Sequence, residues 1–319
     1  MIISCEEGFA GIASSLVGEL LEQTLRFPSR SQTVNAPKNP FSYCVNTSTI
    51  RERAPSLPET IDLVADVGYQ GIEPWISELD AYVDQGGDLA DLKRQLGDCG
   101  LAVPNLIGFF EWGSPDPGTR SAALEEARRN MEIARALGCT ALAAPPKGIV
   151  DQPDIPLLDL AERYGTLVAV GREYGVTPIL EFWGHSKILC RLGEALLVAA
   201  ESGAVDARIL GDVFHMYKGG GTFEALKLIG PQTLALVHMN DYPAKPSRSV
   251  ITDAQRVFPG DGVAPLDTIL ADLVRAGYVG MLSLELFNPD YWQQEPRAVL
   301  EMGLAKMKGA VASALGCAG

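Results

Sequence analysis

Long apolar runs are missing from this chain. No stretch of about 18 apolar residues occurs, which excludes a transmembrane helix. Residues 1–8 carry Glu6 and Glu7 but no lysine or arginine, so the basic start that a secretory signal needs is absent as well. Positive charge is scarce throughout: 26 lysines and arginines stand against 40 aspartates and glutamates, a formal net charge of −14. Such a chain offers no basic face to nucleic acid or to an anionic membrane surface. Cysteine is sparse too. Its six copies, at positions 5, 44, 99, 139, 190 and 317, form no CxxC spacing and no close pair. With 47% hydrophobic residues available for a core, a disulfide framework is not expected. A reducing compartment, the cytoplasm, is the corresponding expectation. Cys44 and Cys139 fall in or beside apolar runs and read as small core fillers.

What is present is a rhythm. From Phe41 onward, short apolar runs alternate with amphipathic segments. Strands are expected over 42–45, 70–73, 101–107, 140–144, 176–181, 207–212, 233–238 and 281–286. Helices are expected over 56–68, 89–99, 120–137, 157–174, 193–202, 222–229, 266–276 and 296–314. Ser56 with Glu59 three residues on reads as a capping box, and Gly68 as the end of that helix. Eight strand–helix units predict an α/β fold of the (β/α)8 TIM barrel type over residues 41–319. An open doubly wound sheet usually has fewer units and a switch point. Residues 1–40 are different. Phe9, Ile12, Leu16, Leu20 and Leu21 recur at helical spacing, so an N-terminal extension is expected, an amphipathic helix over 9–26 plus a proline-containing linker.

Four apolar runs end in a residue that metals favour: Glu181, Asp212, His238 and Glu285. Each stands where a strand gives way to a loop, the end of a parallel barrel that carries function. One such residue reads as the cap of the next helix; four in succession read as a site for a divalent cation. Three carboxylates and an imidazole suit Mn²⁺ first, with Mg²⁺, Co²⁺ and Zn²⁺ as alternatives, and leave room for substrate oxygens. The chain has only three histidines, His185, His215 and His238, and all fall at adjacent strand ends. Arg256 sits in a proline- and glycine-rich loop after the seventh strand, where a guanidinium suits hydroxyls, a carboxylate or a phosphate. Lys147 is a weaker candidate of that kind. Trp75, Trp183 and Trp292 fall near strand ends, where aromatics stack on sugars; Trp112 reads as packing. The run Lys218–Gly219–Gly220–Gly221–Thr222 lacks the P-loop pattern and reads as a flexible loop.

The segments LEFWGH (180–185), GDVFHMY (211–217), VHMND (237–241), RVFPGDG (256–262) and LSLELFNPDYW (282–292) span about 110 residues. They resemble the xylose isomerase-like barrels of the sugar phosphate isomerase/epimerase type, above all the inosose (2-keto-myo-inositol) isomerases, with ketose 3-epimerases further off. VNTSTI (45–50) and GIEPW (71–75) carry the likeness more loosely into the first half, and residues 1–40 have no counterpart. The resemblance implies that Glu181, Asp212, His238 and Glu285 ligate one divalent metal. It implies that Glu181 and Glu285 act as base and acid on opposite faces of the substrate. His185, His215, Arg256 and Glu73 are the implied substrate contacts, and a homodimer or homotetramer the implied assembly.

The expected reaction is proton transfer on a small sugar or polyol ketone through an enediolate. A cation chelated by the ketone and its neighbouring hydroxyl is a Lewis acid that makes the adjacent C–H acidic. A carboxylate removes that proton and a second group returns one. Return to the same carbon is epimerisation, and return to its neighbour is isomerisation. Loss of a β-substituent is elimination, which makes a lyase or hydratase on 3-keto-glycosides the alternative. An endonuclease-like phosphodiesterase is disfavoured by the acidic charge and by the few histidines.

Overall fold

The computed structural model describes residues 39–316. The helix expected over 9–26, with all but the last two residues of the expected extension, lies outside the described residues. Seven parallel strands form one sheet in the order β2-β1-β7-β6-β5-β4-β3. They are β1 (Ser42–Asn46), β2 (Gly71–Glu73), β3 (Ala141–Ala144), β4 (Thr177–Glu181), β5 (Arg208–Asp212), β6 (Leu234–Met239) and β7 (Met281–Leu284). The principal helices are α1 (Leu57–Val67), α2 (Ile76–Asp84), α3 (Leu89–Asp98), α4 (Pro117–Leu137), α5 (Leu157–Tyr174), α6 (Leu192–Glu201) and α7 (Val213–Lys218). They continue with α8 (Leu266–Arg275), the single turn α9 (Pro289–Trp292) and α10 (Pro296–Leu315). Among the described residues, no helix is long and apolar enough to cross a membrane.

The sequence predicts eight strands, and the third of them, 101–107, is not a regular strand. It joins the two edges of the sheet through isolated bridges, Ala102 to Gly71 on β2 and Leu106 to Leu142 on β3. Pro104 has no N–H to give to a ladder, which breaks the run into separate contacts. Ile72 N donates to Ala102 O at 3.0 Å and Ala143 N to Leu106 O at 2.9 Å, so the segment still serves as the eighth stave of a TIM barrel. Two helices differ from expectation. The chain turns into α7 directly after Asp212, and the predicted helix over 222–229 is a 3-10 turn, Phe223–Leu228. Helix α2 was not expected, because Ile76 and Leu79 are its only buried positions and give a thin apolar stripe.

Local chemistry explains the frame. Glu59 accepts from the backbone N–H of Ser56 at 3.1 Å, and Gly68 ends α1 at a φ of 97°, as the cap signals predict. Along the strands, alternate residues face opposite sides. Ile179, Leu210 and Leu236 meet Ala141, Ala143 and Ile107 inside the barrel, while Leu180, Ile209, Val237, Leu282 and Leu284 pack outward under the helices. The same parity carries Glu181, Asp212 and His238 inward above that plug. The close fit of α10 on β7 depends on Gly303, where a Cβ would run into Leu284 Cδ2 and come within 3.2 Å of the Tyr69 hydroxyl. Gly303→Ala is expected to cost about 1–3 kcal/mol by overpacking, measured as a lowered denaturant midpoint. A midpoint equal to wild type would mean that α10 rides freely on the sheet.

Candidate active site

Asp212 closes β5 and caps α7 in one stroke: its Oδ1 accepts from the His215 backbone N–H at 2.7 Å. That cap sets His215 on the first turn of the helix, beside the barrel mouth. His238 stands on β6 as the direct register partner of Asp212, and Ser283 on β7 is the partner of His238. Glu285 lies two residues beyond Ser283 and so points to the same side. The structure thereby brings ligand atoms of Asp212, His238 and Glu285 within 4.8 Å of one another, all on buried residues. Glu181 is not part of that trio. It ends β4 and faces the same pocket, with Oε1 4.0 Å from His215 Nε2.

The trio can hold a metal ion. His238 Nδ1 is buried without a hydrogen bond, although Glu285 Oε2 is only 3.0 Å away. The distance alone would score as an ion pair; the angular misfit makes a hydrogen bond the poorer description, and a lone pair free for coordination the better one. The other ring nitrogen is engaged. Nε2 lies 3.1 and 3.0 Å from the two oxygens of Glu73. A carboxylate behind a ligating imidazole fixes its tautomer and orientation. Charge points the same way. Asp212, Glu285 and half-buried Asp253 crowd around one guanidinium, that of Arg256, while Glu73 and Glu181 add two more buried carboxylates nearby in the site without pairing to it. Burial alone would disfavour a charged His238, but Glu285 and Glu73 hold its pKa well above the usual range, a demand for positive charge that a cation at Nδ1 would answer.

Glu73 does not face the pocket. It is fully buried, and its carboxylate accepts from Asn105 at 2.7 Å, Asn46 at 3.0 Å and Ser283 at 2.8 Å besides contacting His238. Burial would raise its pKa, yet His238, Asn105 and Ser283 draw it below the usual value. Glu73, expected as a substrate contact, stands behind His238 and is not among the residues lining the pocket.

Arg256 is likewise buried. Nη1 donates to Asp212 Oδ2 and Glu285 Oε2, both at 2.8 Å, and Nη2 donates to Asp253 at 2.6 Å. Burial opposes the charges of Asp212 and Arg256, and their pairing overcomes it, holding the carboxyl far below and the guanidinium above their ordinary values. Arg256 orders the carboxylates from behind, and it is not among the residues lining the pocket. His215 does line it. Its Nδ1 accepts from the Gly184 backbone N–H at 3.2 Å, and its Nε2 lies 3.2 Å from Arg256 Nη2. Burial lowers its pKa to about 4, so the ring is neutral. Gly184 permits this contact, since a Cβ there would sit 2.7 Å from both His215 O and Gly219 N.

The pocket measures about 290 Å³. It is lined by Glu181, Glu285, His185 and His215 together with an aromatic wall of Trp75, Phe109, Trp183 and Phe287, in which Trp183 stacks on His185 at 5.4 Å. Trp75 meets Phe109 edge-on at 5.3 Å, and Phe109 meets Trp183 at 5.3 Å in the same manner. Burial pushes the Glu181 carboxyl up; His238 opposes the rise, Glu285 and Asp212 add to it, and the net result is about 8. Trp112 is buried against Tyr164, and Trp292 donates to Ser48 O, so neither lines the pocket. Lys147 is exposed and does not line it either.

Sequence reasoning missed several residues here. Asn46 ends β1 on the interior side, and Asn240 lies two past His238; the strand-end rule that found Glu181 would have found both. Asn240 donates to Asp212 at 3.3 Å, and Asn46 accepts from Trp75 Nε1 at 2.8 Å. Asp253 gave no such signal, because it arrives on a 3-10 turn, Asp253–Gln255, within a long loop.

The model of one protein family, the xylose isomerase-like TIM barrels, matches residues 61–308. The chain belongs to this family. Among xylose isomerase-like relatives, an inosose isomerase of Bacillus velezensis is 29% identical over 258 residues, covering 78% of this chain and 90% of the relative. A 3-dehydroshikimate dehydratase of Pseudomonas aeruginosa is 25% identical over 260 residues, covering 79% of this chain and 39% of the relative. The solved structure of the IOLI protein with a bound zinc atom superposes with a TM-score of 0.80 at 22% identity, covering 86% of this chain and 99% of that one. That likeness shares the xylose isomerase-like fold, and the barrel read from the strand–helix rhythm is the one observed.

Proposed function

We propose that this isomerase acts on a small sugar or polyol ketone and depends on one divalent cation. Asp212, His238 and Glu285 would hold the ion, with Glu181 as a fourth ligand from across the pocket; Mn²⁺, Mg²⁺, Co²⁺ and Zn²⁺ are all compatible with such donors. When bound, the ion supplies the Lewis acidity that makes the C–H beside a ketone removable. The chain's own residues do the rest. Glu181 takes the proton from carbon, and Glu285 returns one from its own side of the pocket. His215 and His185, side by side in the pocket, contact the substrate hydroxyls. The aromatic wall keeps bulk water from the carbanionic carbon. Glu73 holds His238 in its coordinating tautomer, and Arg256 keeps Asp212 and Glu285 aligned.

The observation that carries this reading is the convergence of Asp212, His238 and Glu285, the last of which lines the same pocket as Glu181. The inosose isomerase relatives give it its substrate class. Exhaustive dialysis against EDTA should abolish interconversion of inososes followed by NMR, and Mn²⁺ or Co²⁺ should restore it. Full activity with less than one-tenth equivalent of any divalent metal would end the proposal. The dehydratase relatives support a second outcome from the same proton abstraction, in which a β-hydroxyl leaves. Growth of an ultraviolet-absorbing unsaturated product would identify it.

A further inference from the structure

Arg51 follows directly on the 3-10 turn Thr47–Ile50 that leaves β1. Its guanidinium lies over the Trp75 ring, 4.4 Å from the centroid, and 5.5 Å from that of Phe287. It therefore sits at the pocket mouth, above the wall that faces Glu181 and Glu285. Among the described residues, no carboxylate lies within ion-pair distance of it, and its side chain makes no hydrogen bond. Nearby Arg53, by contrast, pairs with Glu295 at 3.1 Å. Glu78 feels the charge of Arg51, and that carboxylate is already committed, accepting from Thr47 Oγ1 at 2.6 Å and from Trp75 N at 2.9 Å.

We infer that Arg51 receives a carboxylate borne by the substrate, so that the pocket selects a hydroxy-keto acid over a neutral polyol ketone. The inference rests on the function proposed above and narrows its substrate class. The Trp75 ring holds the guanidinium at 4.4 Å, and its N–H groups, without a partner among the described residues, are open to a carboxylate through two parallel hydrogen bonds. Arg256 cannot serve, since Asp212, Glu285 and Asp253 already occupy its N–H groups. Charge separates carboxylate from phosphate. Among the described residues lining the pocket, Arg51 is the one permanent cation, and Glu181, Asp253 and Glu285 line it too. One guanidinium balances a single negative charge; a phosphate dianion would bring a second against those acids.

The test uses the full-length protein loaded with Mn²⁺ and follows tryptophan fluorescence during titration with three ketones. These are 3-dehydroshikimate as the hydroxy-keto acid, an inosose as the neutral ketone, and fructose 6-phosphate as the phosphorylated one. Wild type should bind the acid in preference to the other two. Arg51→Gln should reduce the acid-over-neutral preference by roughly tenfold to a hundredfold, and Arg51→Lys should recover only part of it. Equal weakening of acid and neutral ligands by Arg51→Gln would make Arg51 a prop for Trp75 and overturn the inference. So would preferential binding of the phosphate. Tight binding and turnover of the neutral ketone alone would remove the carboxylate and leave the isomerase reading standing. Failure of all three ketones to bind while Mn²⁺ is retained would remove both.

Discussion

Glu181→Gln is expected to lower kcat by roughly 10²- to 10⁴-fold, the range that loss of a positioned base produces, while KM moves far less. Glutamine keeps the volume and the polar contacts of the side chain, so the pocket should keep its shape. What it loses is the capacity to accept a proton from carbon. Asp212, His238 and Glu285 remain as donors, and most of the bound metal should be retained, read by atomic emission on the desalted protein. The electrostatics explain why the position suits a base. Burial pushes this carboxyl up to about 8, with Glu285 and Asp212 adding to the rise against His238. A divalent cation nearby favours the ionised form and brings the group back toward the working pH. A Glu181→Gln protein with kcat within threefold of wild type would show that some other group takes the proton.

The second large effect is on both stability and metal. His238→Ala should abolish turnover, strip the bound ion and destabilise the fold by about 3–5 kcal/mol, because it leaves the fully buried Glu73 carboxylate without its charged partner. The cause can be isolated. Adding Glu73→Gln to His238→Ala removes the uncompensated charge, so the double variant should regain much of the lost stability in urea melts and none of the activity. If the single variant melts like wild type, Glu73 and His238 are not coupled as the 3.0 Å contact indicates. If the double variant turns over substrate, His238 is not a ligand that matters.

Much of this site was legible before any coordinates. A short apolar run ending in Glu, Asp or His is a local signal, and four such endings survive errors of a residue or two in strand boundaries. The positions of Glu181, Asp212 and His238 at the last or near-last residues of β4, β5 and β6 follow from that signal and from the period of two along a strand. The third stave was less legible. The apolar content of 101–107 reads as a strand, but the consequence of Pro104 for the ladder emerges only against two defined neighbours. The missed helix α2 shows the same limit, since its stripe is too thin to announce itself. Arg51 was invisible for another reason: an arginine in a polar run between two strands carries no periodic signal, and its stacking on Trp75 exists only after the loops are placed.

The barrel class and most of the strand–helix rhythm were legible in the chain itself, and so were the candidates for metal ligation, because each depends on local alternation, caps and strand-end residue types. Tertiary structure alone decided which charges face one another. It set Glu73 behind His238, locked Arg256 between Asp212 and Glu285, grouped three donors with Glu181 apart from them, and left Arg51 at the mouth without an ion-pair partner among the described residues. Those outcomes depend on distances of a few ångströms between residues up to 210 positions apart, as between Glu73 and Ser283, and on burial that strengthens every unshielded charge. Neither quantity is written in the order of residues along the chain.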